Sequence, residues 1–378
     1  MILNGLRCFA SKVFKTVFYV DTHTSRMLSY SLDNNNNKSY MQNLIIESIG
    51  RPIEKDFSKT SVAHARNSVI LADIINADLI TGERDIHLSQ DKTYDNIICC
   101  YASPYMKYKQ LIQVVRDSPN AKLWWFVNDH DLEDNILLRN VIKETNGTRT
   151  INMICNNQRS SYRGWILRKK IKDENNKVIG LLDDFIMEWH TFNLNALIYN
   201  YSVEYEWYDK LLESIYYGTM RKWRLDDLIE YQRTGLTLSA TTKTLKKFKD
   251  NGVDQCPSMN KLSWQKGCEQ LKMFKFSLYI EDLHTHDNYA HMANRFYEAL
   301  MCNVITIFDK KCLNTIRQSN YTISDEFIVE NAEEYVTKTK ALSQQDAFEE
   351  ALLINENHKI IAKAEHDEVV IELQKLFL

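Results

Sequence analysis

Apolar residues along this chain alternate between a helical rhythm and a strand-like one for most of its length. The clearest change of rhythm falls in Tyr289–Phe308, YAHMANRFYEALMCNVITIF. There Ala293, Phe296, Tyr297 and Leu300 share one side of a helical wheel, with Arg295 and Glu298 three residues apart on the other. Asn303 suits the left-handed conformation that ends a helix, and Val304–Phe308 then reads as a buried strand. Taken alone, the Arg295–Glu298 spacing fits two readings. It is either a grip for a charged, hydroxyl-rich ligand or an ordinary surface ion pair.

Upstream, Lys15–Val20 (KTVFYV) reads as a strand running into a polar loop, Asp21–Ser25, and Asn34–Asn37 as a polar insertion. Val62–Ala77 has helical periodicity, Tyr94–Cys100 reads as strand and Tyr105–Arg116 as helix. Lys122–Val127 (KLWWFV) is an aromatic strand that ends in the acidic cluster Asn128–Asp134, and Ile151–Cys155 is a further strand. The charged stretch Arg168–Lys177 reads as turn-rich, and the change between halves is expected near Asp183–Asn195. A second series follows: strand Ser214–Tyr217, loop Gly218–Arg224, helix Leu225–Arg233 capped by Gly235, then strands Leu236–Ser239 and Lys275–Ile280. The terminal helix, from about Asn357 to Phe377, is long enough to reach back across the junction.

This alternation predicts an α/β protein of two Rossmann-like domains facing a central cleft, with ligands at the carboxyl ends of the strands. The expected division is residues 1–187, residues 188–360, and a helix over 361–378 that returns to the N-terminal domain.

Composition narrows the class. At 378 residues and 44% hydrophobic, the chain can build two full cores. Its 10 Gly and 4 Pro argue against fibrous or disordered classes. No apolar run reaches transmembrane length, and MILNGLRCFASKVFK lacks a cleavage signature, so a mature, non-membrane, cytoplasmic protein is expected. Eight cysteines without C-x-x-C pairing suit a reducing compartment and argue against structural zinc. A net charge of −3 gives no global attraction for nucleic acid. The local clusters Arg168–Lys172, Arg221–Arg224 and Lys243–Lys249 could track a phosphate backbone, or simply be solvated faces.

Three places could carry chemistry. In Ser214–Arg224, SIYYGTMRKWR, a strand runs into Gly218 and basic residues arrive just before a helix. Cations there oppose the helix dipole unless an anion joins them, which points to phosphate; the alternative is a solvated loop. In Val127–Asp131, Asp129 stands at the carboxyl end of a buried strand, as a general base would; the alternative is a helix N-cap. Asp21–Ser25 has residue types that suit sugar or acceptor contacts, or any turn. Asp183–Asp184 reads as a helix cap rather than a metal site.

Together these segments resemble the DNA β-glucosyltransferases of T-even bacteriophages, GT-B enzymes that glycosylate 5-hydroxymethylcytosine in DNA. YYGTMRKWR and NRFYEALMCNVITIF carry most of the resemblance, and KLWWFVND resembles the strand that delivers the family's catalytic Asp. The resemblance implies that Thr219, Arg221 and Arg224, after Gly218, hold the UDP diphosphate, with Lys222 the alternative to Arg224. It implies that Arg295 also meets the phosphates, Glu298 accepts the ribose hydroxyls and Asp129 is the base. Asp21, Thr22 and His23 are the nearest counterpart of the family's sugar-side loop, and the transferred sugar could be glucose or, as in a phage arabinosyltransferase, arabinose. The implied partners are a UDP-sugar and double-stranded DNA with hydroxymethylated bases; a divalent cation can assist, though no residue demands one. A monomer in the host cytoplasm, serving restriction evasion, is the implied setting. A GT-B transferase for another acceptor and a non-catalytic nucleotide- or DNA-binding module stay open as alternatives.

Overall fold

The computed structural model describes residues 41–48, 63–80, 89, 91–102, 108–127, 149–157, 159–172, 175–200, 210–218, 222–253, 256–260, 262, 270–281 and 283–378. The expected strand Lys15–Val20, the loop Asp21–Ser25, the insertion Asn34–Asn37, and Asp129 with its acidic cluster lie outside them.

The first sheet contains β1 (Asn43–Ser48), β2 (Ala77–Ile80), β3 (Asn96–Ala102), β4 (Lys122–Val127) and β5 (Ile151–Asn156). A short hairpin of β6 (Lys170–Lys172) and β7 (Val178–Leu181) follows, and then β8 (Ile186–Phe192) closes the sheet. Its order is β2-β1-β3-β4-β5-β8, all parallel. Runs such as Leu123–Phe126 and Ile151–Cys155 are buried throughout, as strands covered on both faces must be. Alternate residues feed opposite cores. Leu44, Leu123, Trp125 and Met153 pack on one side, and Ile45, Trp124, Phe126 and Ile154 on the other.

The second sheet contains β9 (Leu212–Tyr216), β10 (Thr237–Ser239), β11 (Ser258–Met259), β12 (Phe274–Tyr279), β13 (Ile305–Asp309) and β14 (Ile328–Val329). Its order is β11-β10-β9-β12-β13-β14, again parallel. The chain lays down β9, moves outward through β10 and β11, and returns to the other side of β9 for β12. That reversal creates a switch point between β9 and β12, where doubly wound sheets open a crevice.

Several expectations shift on the structure. The turn-rich stretch Arg168–Lys177 also carries the short strand β6, and Asn176, at a φ of +60°, lies in a bend before β7. Asp183–Asn195 holds β8, so the chain leaves the first sheet only after Phe192. Asp183 and Asp184 sit in a short 3-10 turn, where the Asp184 carboxylate accepts from the Leu181 amide at 2.7 Å, a capping role. Asn303, at a φ of +51°, and Gly235, at +92°, end their helices in left-handed conformation as their chemistry suggests.

The terminal helix runs from Gln345 to Phe377, a full twelve residues earlier than its apolar pattern announced. Phe348 and Ala351 pack into the second sheet's core, Ala362 near the junction, and Val369, Leu373 and Phe377 into the first sheet's core. Its end is tied down by Asn43, whose amide donates to the Ile75 and Phe377 carbonyls at 2.9 and 3.1 Å. Among the described residues, no helix is long and apolar enough to cross a membrane.

Two stability predictions follow from this packing. Leu373→Ala, at a fully buried position of the returning helix, should cost about 2–5 kcal/mol in urea unfolding. The second concerns His358, buried beside Phe296 and Tyr321, which burial holds below the ordinary value of 6.5 despite its bond to the Thr322 carbonyl. The unfolded chain therefore takes up a proton that the folded one refuses, and stability falls as pH drops below about 6.5, by at most about 1.4 kcal/mol per unit for one histidine. His286 and His366 are shifted the same way. Unfolding midpoints should decline from neutral toward acid pH, and His358→Phe should flatten the decline.

Candidate functional site

Strand register assembles the site. Ser277 of β12 pairs with Ile215 of β9, so Tyr216, Tyr217 and Gly218 emerge beside Ile280 and Glu281 at the carboxyl ends of two central strands. The helix after β9, Lys222–Gln232, contributes Arg224 from its first turn. The helix Asn294–Met301, which precedes β13, contributes Arg295 from its own first turn. Its N-cap is Ala293, which supplies no side-chain cap; the Ala293 amide instead donates to the Tyr279 hydroxyl at 2.8 Å.

Glu281, 7% exposed, is the centre. One carboxylate oxygen lies 2.7 Å from Nη2 of Arg295 and the other 3.0 Å from Nη2 of Arg224. Beneath them the Tyr216 hydroxyl accepts from Nη1 of Arg224 at 3.1 Å and Nη1 of Arg295 at 3.3 Å. Arg295 also donates to the Ile280 carbonyl at 3.1 Å, and its guanidinium lies 5.4 and 5.6 Å from the Tyr216 and Tyr279 ring centres. The Tyr217 hydroxyl donates to the Arg295 carbonyl at 2.5 Å, fixing that turn of helix.

Among the described residues, the two guanidiniums and one carboxylate give this buried cluster one net positive charge. Two like charges 4 Å apart repel by about 4 kcal/mol at an effective dielectric near 20, and a carboxylate within 3.0 Å of both guanidiniums offsets such repulsion. Burial is the largest single influence on Arg295 and would lower its pKa; Glu281, together with Tyr216 and Tyr279, more than offsets it and raises that pKa above its ordinary value. A fixed pair of guanidinium forks sharing one carboxylate, beside a strand end and an uncapped helix N-terminus, is suited to an anion with paired oxygens.

Gly218 is required for this packing. A Cβ there would stand 2.4 Å from Nη1 of Arg295 and 2.5 Å from the Tyr216 hydroxyl. The glycine is a close-approach position, and its φ is not what demands it.

The site residues named from sequence divide accordingly. Gly218, Arg224 and Arg295 are brought together. Glu298 lies one turn along the same helix, only 4% exposed. The surface-pair reading of Arg295 and Glu298 is corrected: Arg295 takes Glu281 as its ion-pair partner, and Phe296–Met301 are buried throughout. Thr219 and Arg221 lie outside the described residues, as do Asp129, Asp21, Thr22 and His23; Lys222 starts the helix that carries Arg224. Sequence reading missed Glu281, Tyr216 and Tyr279. The rule applied to Asp129, a carboxylate at the carboxyl end of a buried strand, would have found Glu281 after Lys275–Ile280.

The basic clusters also divide. Lys169 is buried, its ammonium 4.0 Å from the Trp165 ring centre, while Arg168, Lys170 and Lys172 are exposed. Lys243, Lys246, Lys247 and Lys249 are exposed on the helix Thr242–Asp250. Among the described residues no group of three or more His, Cys, Asp or Glu is placed to hold a metal ion.

A second polar space, about 280 Å³, lies on the other face of the Asn294–Met301 helix, where Tyr297 points roughly opposite to Arg295. Asn157, Asn193, His291 and Glu365 also line it, with Glu368 and Glu372 beside them. Glu365 accepts from Tyr297 and Tyr321 hydroxyls and the Asn320 amide, each at 2.8 Å, and from Asn193 at 3.3 Å. Three carboxylates make this space unfavourable for a diphosphate, whereas the arginine pair on the opposite face is the better suited to an anion.

Fold and site define a class: two parallel Rossmann-like sheets with a basic, anion-directed pocket at the second switch point. No protein-family profile and no curated protein matches the chain. Solved structures do. The DNA-modifying enzyme beta-glucosyltransferase, solved with and without uridine diphosphoglucose, aligns with a TM-score of 0.61 at 15% identity, covering 88% of this chain and 99% of that one. A mutant of the T4 phage enzyme in complex with UDP-glucose gives 0.61 at 16%, covering 89% and 99%. An alpha-glucosyltransferase in complex with UDP-glucose and DNA containing an abasic site gives 0.55 at 11%, covering 88% and 100%. The chain has the GT-B fold of these glucosyltransferases.

Gly218→Ala should destabilise the protein by about 1–3 kcal/mol, the cost of overpacking. Because the clash is largely with Arg295, the same change in an Arg295→Ala background should cost less, a coupling that a double-mutant cycle of urea unfolding reads directly.

Proposed function

We propose that the protein is a UDP-sugar-dependent glycosyltransferase that transfers glucose or arabinose to 5-hydroxymethylcytosine in double-stranded DNA. The observation that carries this reading is the buried arginine pair at the β9/β12 switch point, within a fold shared with enzymes solved with UDP-glucose. The DNA acceptor is supported by the DNA-modifying and DNA-bound neighbours, and by the exposed lysines on Thr242–Asp250. Those lysines, with Arg168, Lys170 and Lys172, would meet backbone phosphates and make affinity strongly salt-dependent.

In this reading Arg295, its side chain the more open of the two, contacts the donor diphosphate directly, with Arg224 behind it. Thr219 and Arg221 complete the phosphate cradle after Gly218, and Lys222 is the alternative to Arg224. Glu298 accepts the ribose hydroxyls, and Asp21, Thr22 and His23 face the sugar. The modified base leaves the stack to reach the pocket. Asp129 takes the proton of the acceptor hydroxymethyl group as its oxygen attacks the anomeric carbon. The bond from that carbon to the diphosphate breaks, UDP departs, and the configuration inverts. The arginines stabilise the charge that builds on the leaving diphosphate, where fixed donors contribute most. A divalent cation carried by the diphosphate would add to that stabilisation. A phage enzyme acting in the host cytoplasm, masking DNA from restriction, is the setting that fits this activity.

Calorimetry with UDP tests the donor site. Arg295→Ala should weaken binding by about 1.5–3 kcal/mol, the range for hydrogen bonds to charged groups; unchanged affinity would remove the assignment. Asp129→Asn should bind UDP normally and lose transfer to a hydroxymethylated duplex. Normal turnover in that variant would place the base elsewhere.

A further inference from the structure

The donor-site reading gives Glu281 no role, yet its carboxylate lies within 3.0 Å of both guanidiniums. We propose that Glu281 is a positioning residue that sets Arg224 and Arg295 as one rigid fork for a nucleoside diphosphate; this rests on the proposed donor site. Each carboxylate oxygen takes one guanidinium, at 2.7 and 3.0 Å, and the Tyr216 hydroxyl takes the second nitrogen of each. The Ile280 carbonyl gives Arg295 a third contact at 3.1 Å, so neither guanidinium is free to rotate. Arg295, the more open of the two, therefore keeps a fixed direction toward the diphosphate, with Arg224 held behind it.

The sign of the effect separates this role from that of a simple counter-ion. A negative charge beside an anion site repels the ligand, so a counter-ion's removal would tighten binding. A positioning carboxylate does the reverse. Without it the two arginines repel each other, lose their fixed places, and must be ordered again when the diphosphate arrives. Ordering two long side chains corresponds to roughly tenfold in affinity.

The test is titration of wild-type protein and Glu281→Gln with UDP and with uridine. The glutamine keeps the shape of the side chain and removes the charge shared by the arginines. The expected result is a UDP affinity about tenfold weaker with uridine binding unchanged, since uridine has no phosphate for the fork to meet. Equal losses for both ligands would mark Glu281 as merely structural and overturn the proposal. Glu281→Asp provides a second variant should the glutamine form not fold. It keeps the charge but is too short to reach both guanidiniums, and should show the same selective loss in smaller degree. UDP binding that is unchanged or tighter in these variants overturns the proposal alone. Failure of the wild-type protein to bind UDP overturns the donor site and the proposal with it.

Discussion

One carboxylate shared by two buried guanidiniums is the constraint around which the second sheet's switch point is built. Removing one member of such a cluster leaves a buried charge uncompensated, at a cost of about 3–5 kcal/mol, so its parts depend on one another. Glu281 needs a position at the end of β12, and the parallel register with β9 places Tyr216 beneath it. The Arg295 fork then approaches so closely that the position two residues past β9 has no room for a side chain, which is what Gly218 supplies. Helix capping, strand register and glycine placement thus answer to a single electrostatic arrangement.

The junction between the two sheets is organised by a different chemistry. Asn156, at the end of β5, accepts from the Leu194 amide and donates to Asn195, while its amide also meets Nε2 of His291. Because Nδ1 of His291 faces the Asn157 carbonyl, the network assigns the proton to Nδ1 and leaves Nε2 as acceptor. Backbone bonds from Arg159 to Asn288 and from Ala290 to Asn157 add to the joint, and Glu365 on the terminal helix gathers side chains from both halves. The Asn294–Met301 helix separates the two environments, with neutral amides and carboxylates on one face and arginines on the other. That division makes one face of the helix more favourable for an anion than the other.

Much of the fold was legible because buried parallel strands leave continuous apolar runs, and KLWWFV, INMIC and KFSLYI each lie in strands. One strand with a plain buried apolar run, β1 (NLIIES), went unread; other elements that escaped notice have weak or mixed patterns. β8 is half exposed and reads IMEWHTF, and β6 and β7 are a charged hairpin whose register is set by a turn and whose apolar content is low. Helix pattern also failed to mark the first twelve residues of the terminal helix, because Gln345–Glu356 contacts the second core through few positions. In the site, the arginines were visible through their loop and helix contexts, whereas Glu281 was not. Its importance comes from the lateral neighbour of its strand, and lateral neighbours in a parallel sheet are separated by a whole crossover in sequence. The Arg295–Glu298 spacing suggested a pair for the same reason in reverse: proximity along a helix is visible, and a closer partner from an adjacent strand is not.

Transfer by the proposed donor pocket can be measured directly by incubating the protein with hydroxymethylcytosine duplex DNA and a panel of UDP-sugars, digesting the DNA, and weighing the released nucleosides. One UDP-sugar, UDP-glucose or UDP-arabinose, should add a single sugar unit to hydroxymethylcytosine, with UDP formed in equal amount. Nucleosides of unchanged mass across the whole panel, from protein that binds UDP, would contradict it.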